Sequence, residues 1–200
     1  MNSQVIFKLA FGAAALFSIG SIAYAQRIAQ RKHGSRFAQC MNEVPGLLWV
    51  RGLLAIPVYA GLIDWLLSTH WFPWAIVPLP PWARWAGVLL AAIVTALFWW
   101  SHLALGSNYR GAMGLHEHHE LITHGPYRFV RHPTYVAFPL LIVAIFLLSA
   151  NWLIGLPGLI LVSTMGLVRA PIEEHQLLDR FGDKYTAYVR RTGHFSPRIW

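Results

Sequence analysis

The chain has 200 residues and a formal net charge of +8, with 56% hydrophobic residues, only 12% charged residues and ten tryptophans. So few charges exclude an ordinary water-soluble domain and place the chain among membrane proteins. The positive charge follows from topology and anionic headgroups, and no motif for nucleic acid accompanies it.

A membrane-spanning helix needs roughly 20 apolar residues. Three runs have that length: Ile6 to Ala25, Leu47 to Leu67 and Trp85 to Leu105. Two shorter runs, Tyr135 to Leu148 and Ile154 to Val168, are separated only by Ser149-Ala150-Asn151-Trp152, which predicts a tight helical hairpin. The expectation is an all-α membrane protein with about five transmembrane helices. The first run has a second reading as a signal peptide, because Ala23-Tyr24-Ala25 resembles a cleavage site. The basic residues Arg27, Arg31, Lys32 and Arg36 directly after it favour retention instead.

Thirteen of the sixteen Lys and Arg residues fall in the loops after spans one and three or from Arg169 onward; Lys8, Arg51 and Arg84 lie elsewhere. The positive-inside bias then puts the N-terminus outside and the C-terminus in the cytoplasm, in a membrane of the bacterial inner type. Cys40 stands alone and receives no role. The stretch Trp71 to Trp85, with four prolines and four tryptophans, reads as an interfacial anchoring loop rather than helix. Without repeats or low-complexity tracts, residues 1–200 read as one membrane domain, with a three-span part (1–105) and a polar, cofactor-binding part (106–200).

Residues 106 to 133 form the longest polar loop and hold Asn108, Tyr109, Arg110 and five histidines. Loops of that length are commonly functional or disordered. Pro133 opens span four, which sets His132 at a non-helical position at a helix N-terminus. Free N–H groups there, with Arg128, Arg131 and His132 beside them, suit an anionic or zwitterionic ligand. The plainer reading of Arg128 and Arg131 is topogenic charge. After span five, Pro171 is expected to open a separate cytoplasmic helix with Glu173 and Glu174 near its positive end. The glutamates read equally as ligand-binding groups or as helix-terminal charge. Gly182-Asp183 predicts a stop followed by a further short helix, whose apolar face should lie on the bundle or membrane.

His116-Glu117-His118-His119-Glu120 completes no zinc spacing, so no metal site is expected. Arg51 and Asp64 sit within or near span two, either as part of a polar pathway or as groups snorkelling to an interface. Triads and phosphate loops are absent.

Several segments together resemble the isoprenylcysteine carboxyl methyltransferases, integral membrane enzymes related to phospholipid methyltransferases. They are Leu105 to Tyr109, Glu120 to Tyr127, Arg131-His132-Pro133-Thr134-Tyr135, Arg169, Glu173-Glu174, Leu178, Phe181-Gly182, Tyr185 and Tyr188. The resemblance covers roughly the C-terminal half and specifies a superfamily, not a substrate. It implies an S-adenosylmethionine pocket between the ends of spans four and five and the C-terminal helices. It further implies that His132, Tyr135 and Glu174 contact the cofactor and that Gly125, Pro126 and Tyr127 offer backbone contacts. Arg169, positioned by Glu173, would face a lipophilic, prenylated or lipid acceptor arriving from the bilayer. A carboxylate acceptor needs only orientation and desolvation, whereas a thiol or amine needs a base. The position two after Tyr135, often glycine in the family, is Ala137, which would narrow backbone approach to a ligand. Membrane sterol-type reductases using NADPH resemble the same half, but the paired glutamates favour methyl transfer. A non-catalytic histidine-rich metal or haem binder is the remaining alternative.

Overall fold

The computed structural model describes residues 3–33, 45–109 and 120–198. Among them no strand occurs, and six α-helices follow in order: α1 (Ser3–His33), α2 (Pro45–Leu67), α3 (Pro81–Leu105), α4 (Pro133–Ser149), α5 (Trp152–Phe181) and α6 (Asp183–Arg191). Four of these, α1, α2, α3 and α5, are long and apolar enough to cross a membrane, and α4 is a shorter apolar helix of 17 residues. The protein is an integral membrane protein with an all-α fold. Cys40 and the histidines at 116, 118 and 119 lie outside the described residues.

Small residues let the helices approach closely, as is usual where lipid supplies no hydrophobic drive for association. A Cβ at Gly87 of α3 would lie 2.7 Å from the Leu147 side chain of α4, and one at Gly155 of α5 would lie 2.6 Å from the Phe146 ring. Phe7, Ala91, Ala144 and Leu148 form one buried cluster across α1, α3 and α4. α1 runs unbroken through Ala23-Tyr24-Ala25 and packs on α3, so this helix is a member of the bundle.

The hairpin between α4 and α5 forms as expected. Ala150 takes a left-handed conformation (φ 52°), and the Asn151 side chain caps α5 by accepting from Leu153 N at 2.9 Å. The neighbouring loop is fastened to it, since Val77 N donates to Ala150 O at 2.7 Å and the Trp74 and Trp152 rings lie 5.3 Å apart. That loop is shorter than the sequence suggests. Pro81 takes the first helical position, where its missing N–H costs nothing, so Trp82 and Trp85 belong to α3. Trp71, Trp74, Trp82 and Trp85 are all exposed, as interface anchors are.

A second correction concerns Pro171. It opens no new helix, because α5 passes through it and continues to Phe181. The proline leaves the Leu167 carbonyl without its helical N–H, but Ala170 is fully buried and α5 packs on α2 and α4, which hold the helix together. Gly182 (φ 50°) does end α5, and α6 starts at Asp183.

Candidate active site

α1 to α5 run alternately up and down, so the ends of α3 and α5 meet the start of α4. At this end Gly125–Arg128 make a 3-10 turn. Gly125 has φ 61°, and its α-carbon presses on α3, where an added Cβ would lie 2.9 Å from Ala104. Burial raises the Tyr127 hydroxyl well above the usual phenol range and pushes Tyr188 up to about 12, so both stay protonated at neutral pH. Tyr188 of α6 donates to the Tyr127 carbonyl at 2.6 Å, which ties α6 to the turn.

His132 is the N-terminal flanking residue of α4 with Pro133 after it, as the sequence predicts, and its ring is buried. It stands between two carboxylates. Its Nε2 lies 3.2 Å from Glu174 Oε1, and its Nδ1 lies 3.8 Å from Glu173 Oε2. Tyr135, in the first turn of α4 and stacked on His132, donates to Glu173 Oε1 at 2.6 Å. Consecutive glutamates on one helix point about 100° apart, and here they reach opposite nitrogens of the His132 ring.

Arg131 exceeds its topogenic reading. Its side chain is only 11% exposed, its Nε donates to Glu174 Oε1 at 2.7 Å, and its NH1 donates to the Thr192 carbonyl at 2.6 Å. Charge-assisted bonds of this kind are the strong ones. Residues 192–194 dock as a strap beside Phe129–His132. Arg131 N donates to Gly193 O at 2.8 Å, His132 N donates to His194 O at 3.3 Å, and Gly193 N donates to Phe129 O at 3.3 Å. His194 stands 5.1 Å from the His132 ring. Burial lowers its pKa below the usual histidine value. Neither the Arg131 pair nor the strap was legible in sequence, since nothing local signals contacts across 43 and 61 positions.

These residues border a cavity of about 310 Å³. Tyr127, Arg131, His132, Tyr135, Arg169 and Glu173 line it, with Tyr185 and Tyr188 of α6. The face of α6 that the sequence assigns to bundle or membrane thus closes the cavity. Gly125, Pro126 and Glu174 stand behind this wall rather than on it. Leu105, Phe138 and Met165 supply apolar lining, and His102, Asn108 and Glu120 complete the side toward α1 and α3. Ala137 does not narrow the cavity; it is fully buried against Val94 and Phe98 of α3.

One ligand atom each from His132, Glu174 and His194 falls within 4.8 Å of the others. Arg131 already delivers a positive charge to the same Glu174 oxygen, so an ion there would face a fixed cation. Asp64 lies at the far end of the bundle. Its Oδ1 accepts from Thr69 Oγ1 at 2.7 Å and from Trp71 N at 2.7 Å, fastening the end of α2 to the loop.

Residues 86–179 match the model of the isoprenylcysteine carboxyl methyltransferase (ICMT) family. Protein-S-isoprenylcysteine O-methyltransferase A of Arabidopsis thaliana is 36% identical over 109 residues, 54% of this chain and 52% of that protein. The B form from the same plant is 32% identical over 83 residues, 42% of each chain. The chain spans about half the length of these curated relatives. The solved structure of a eukaryotic intramembrane Ras methyltransferase ICMT superposes with a TM-score of 0.72 at 23% identity, covering 100% of this chain and 69% of that one.

Proposed function

We propose that the chain is a member of the isoprenylcysteine carboxyl methyltransferase family, whose model residues 86–179 match, and that it transfers a methyl group from S-adenosylmethionine to a lipophilic carboxylate. The observation that carries the reading is the meeting of paired carboxylates and cations from α4 and α5 around one cavity whose other walls are apolar membrane helices. The donor set fits the cofactor. Arg131 and His132 suit its carboxylate, while Glu173, still 35% exposed, suits an amine or ribose hydroxyls. The cavity lies at the lower end of the size range of ligand pockets.

When bound, this cofactor supplies an electrophilic methyl group on a sulfonium. The chain's own residues have a positioning task. The acceptor carboxylate is already ionised at neutral pH, so no base is required. Arg169 orients it, Glu173 helps to place Arg169, and Leu105, Phe138 and Met165 exclude water and receive the lipophilic chain. The hydroxyl of Tyr135 fixes the Glu173 carboxylate. His132, Tyr135 and Glu174 hold the cofactor side, with the Gly125-Pro126-Tyr127 turn behind them. Residues 1–200 act as one membrane domain, with the pocket end and C-terminus in the cytoplasm and the N-terminus outside, in a membrane of the bacterial inner type. The cofactor enters from the cytoplasm and a prenylated or lipid acceptor from the bilayer.

Calorimetric titration of detergent-purified protein with S-adenosylhomocysteine and, separately, NADPH tests this reading, followed by methyl transfer to a prenylated, N-acetylated cysteine. Saturable binding of the first ligand alone and formation of the methyl ester are expected. Binding of NADPH alone would overturn it.

A further inference from the structure

His102 of α3 lies on the cavity wall and is only 3% exposed. It stacks on Phe98 at 5.9 Å and meets the edge of Tyr109 at 4.9 Å. Its Nδ1 lies 2.9 Å from Ser21 Oγ of α1, and Ser21 donates its one hydroxyl hydrogen to the Ser18 carbonyl at 2.8 Å. With that hydrogen committed, Ser21 can only accept. Both bonds are made at once when His102 carries its proton on Nδ1, the tautomer that leaves a lone pair on Nε2. No hydrogen bond among the described residues engages Nε2.

An acceptor that opens on the cavity is matched by a donor on whatever fills the cavity, because a polar group cut off from water without a partner is costly. In this tautomer Nε2 offers no hydrogen to a carboxylate, and two acceptors repel. Nearby, Asn108 Oδ1 is taken by Glu120 N at 3.0 Å, and the Glu120 side chain on the same wall can only accept when ionised. The cationic residues Arg131 and Arg169 belong to the segment entering α4 and to α5. The His102 wall belongs to α3 and α1, which pack on each other and, through α3, on α4. The charged wall suits the cofactor and the reacting carboxylate, and the α1–α3 wall suits the remainder of the methyl acceptor.

We propose that His102 is a specificity-determining residue that accepts a hydrogen bond from an N–H group on the methyl acceptor, such as the amide nitrogen of an N-acylated amino acid whose carboxylate faces Arg169. The proposal rests on the methyl-transfer reading for the identity of that acceptor.

The test is direct binding rather than turnover. Purified wild type, His102→Phe and Ser21→Ala are titrated with a prenylated N-acetylcysteine and with an analogue in which the amide N–H is replaced by CH2. The wild type is expected to bind the N–H ligand about tenfold more tightly. His102→Phe, which keeps a flat ring in place, should bind the two within twofold of each other with unchanged affinity for S-adenosylhomocysteine. Ser21→Ala removes only a hydroxyl and releases the tautomer, so its preference should fall to about threefold; it carries the test if the phenylalanine variant does not fold. A wild-type ratio near one, a ratio unaltered in these variants, or a loss in His102→Phe confined to S-adenosylhomocysteine would overturn the proposal. If the wild type binds both ligands with the expected preference yet forms no methyl ester, the proposed reaction fails while the role of His102 stands. If it binds neither, both fail.

Discussion

At the end of the bundle where α1 begins, charged side chains meet backbone and neutral side chains; at the end where α4 begins, they meet one another. Lys8 donates to the Leu66 carbonyl at 3.0 Å and to Ser68 at 2.7 Å, and Arg84 donates to the Leu148 carbonyl and to Gln4 while its guanidinium lies over Phe7. Asp64 collects a hydroxyl and a backbone N–H. Two of these contacts close the ends of α2 and α4, where the Leu66 and Leu148 carbonyls lack helical partners. At the other end Glu174 is shared by Arg131, His132 and the nearby His194, and Glu173 by Tyr135 and His132. Groups that satisfy one another around a cavity can exchange partners when a ligand enters. Both ends carry charged side chains, and only the second arrangement borders the cavity.

Variants at the two ends should separate accordingly. The largest effect is expected for Glu174→Ala, which leaves the Arg131 cation buried without its carboxylate. Breaking such a pair costs about 3 kcal/mol, and a chemical denaturation midpoint should fall together with S-adenosylhomocysteine affinity. A normal midpoint would mean that the Arg131 pair is dispensable. Next comes Arg169→Ala, for which turnover should drop about 100-fold while calorimetry shows S-adenosylhomocysteine binding intact. His132→Ala should do the reverse and weaken that binding about tenfold; equal effects of the two variants on binding would erase the division between acceptor and cofactor sides. At the far end, Asp64→Ala should cost about 1 to 3 kcal/mol of stability and leave ligand affinity within twofold. A change in affinity there would break the contrast.

The smallest effect is a pH dependence. Burial depresses the pKa of His194 below the usual histidine value, so the folded state favours the neutral ring. Its contribution to stability is fully present above pH 6.5 and is lost as pH falls through the lower folded value. Melting temperatures of wild type and His194→Asn should therefore converge as pH is lowered from 7 to 5, and parallel curves would remove the residue from the strap's energetics.

What could be read from sequence was whatever is encoded locally. The apolar runs mark the helices, Ser149 to Trp152 marks a hairpin, Gly182 a stop, and Pro133 fixes His132 at the mouth of α4. Pro171 misled because the local cost of a proline was outweighed by packing around the buried Ala170. Arg131 looked like any interfacial arginine, and only the fold brings Glu174 and Thr192 to it. His102 sits unremarked in an apolar run, and its tautomer depends on a serine 81 positions away. The resemblance to known methyltransferases supplied the cofactor and the roles of Arg169 and Glu173, which spacing alone did not.

α4 has 17 residues, so at 1.5 Å per residue it reaches about 25 Å, less than the roughly 30 Å of a bilayer's hydrocarbon core. A bilayer meets such hydrophobic mismatch by thinning beside a short helix. On the proposed reading, thinning at the start of α4, which carries His132 and Tyr135, would draw headgroups and water down towards the cavity. An acceptor anchored by its hydrophobic tail would then present its polar end without leaving its leaflet, and lipid deformation would do part of the work of substrate delivery.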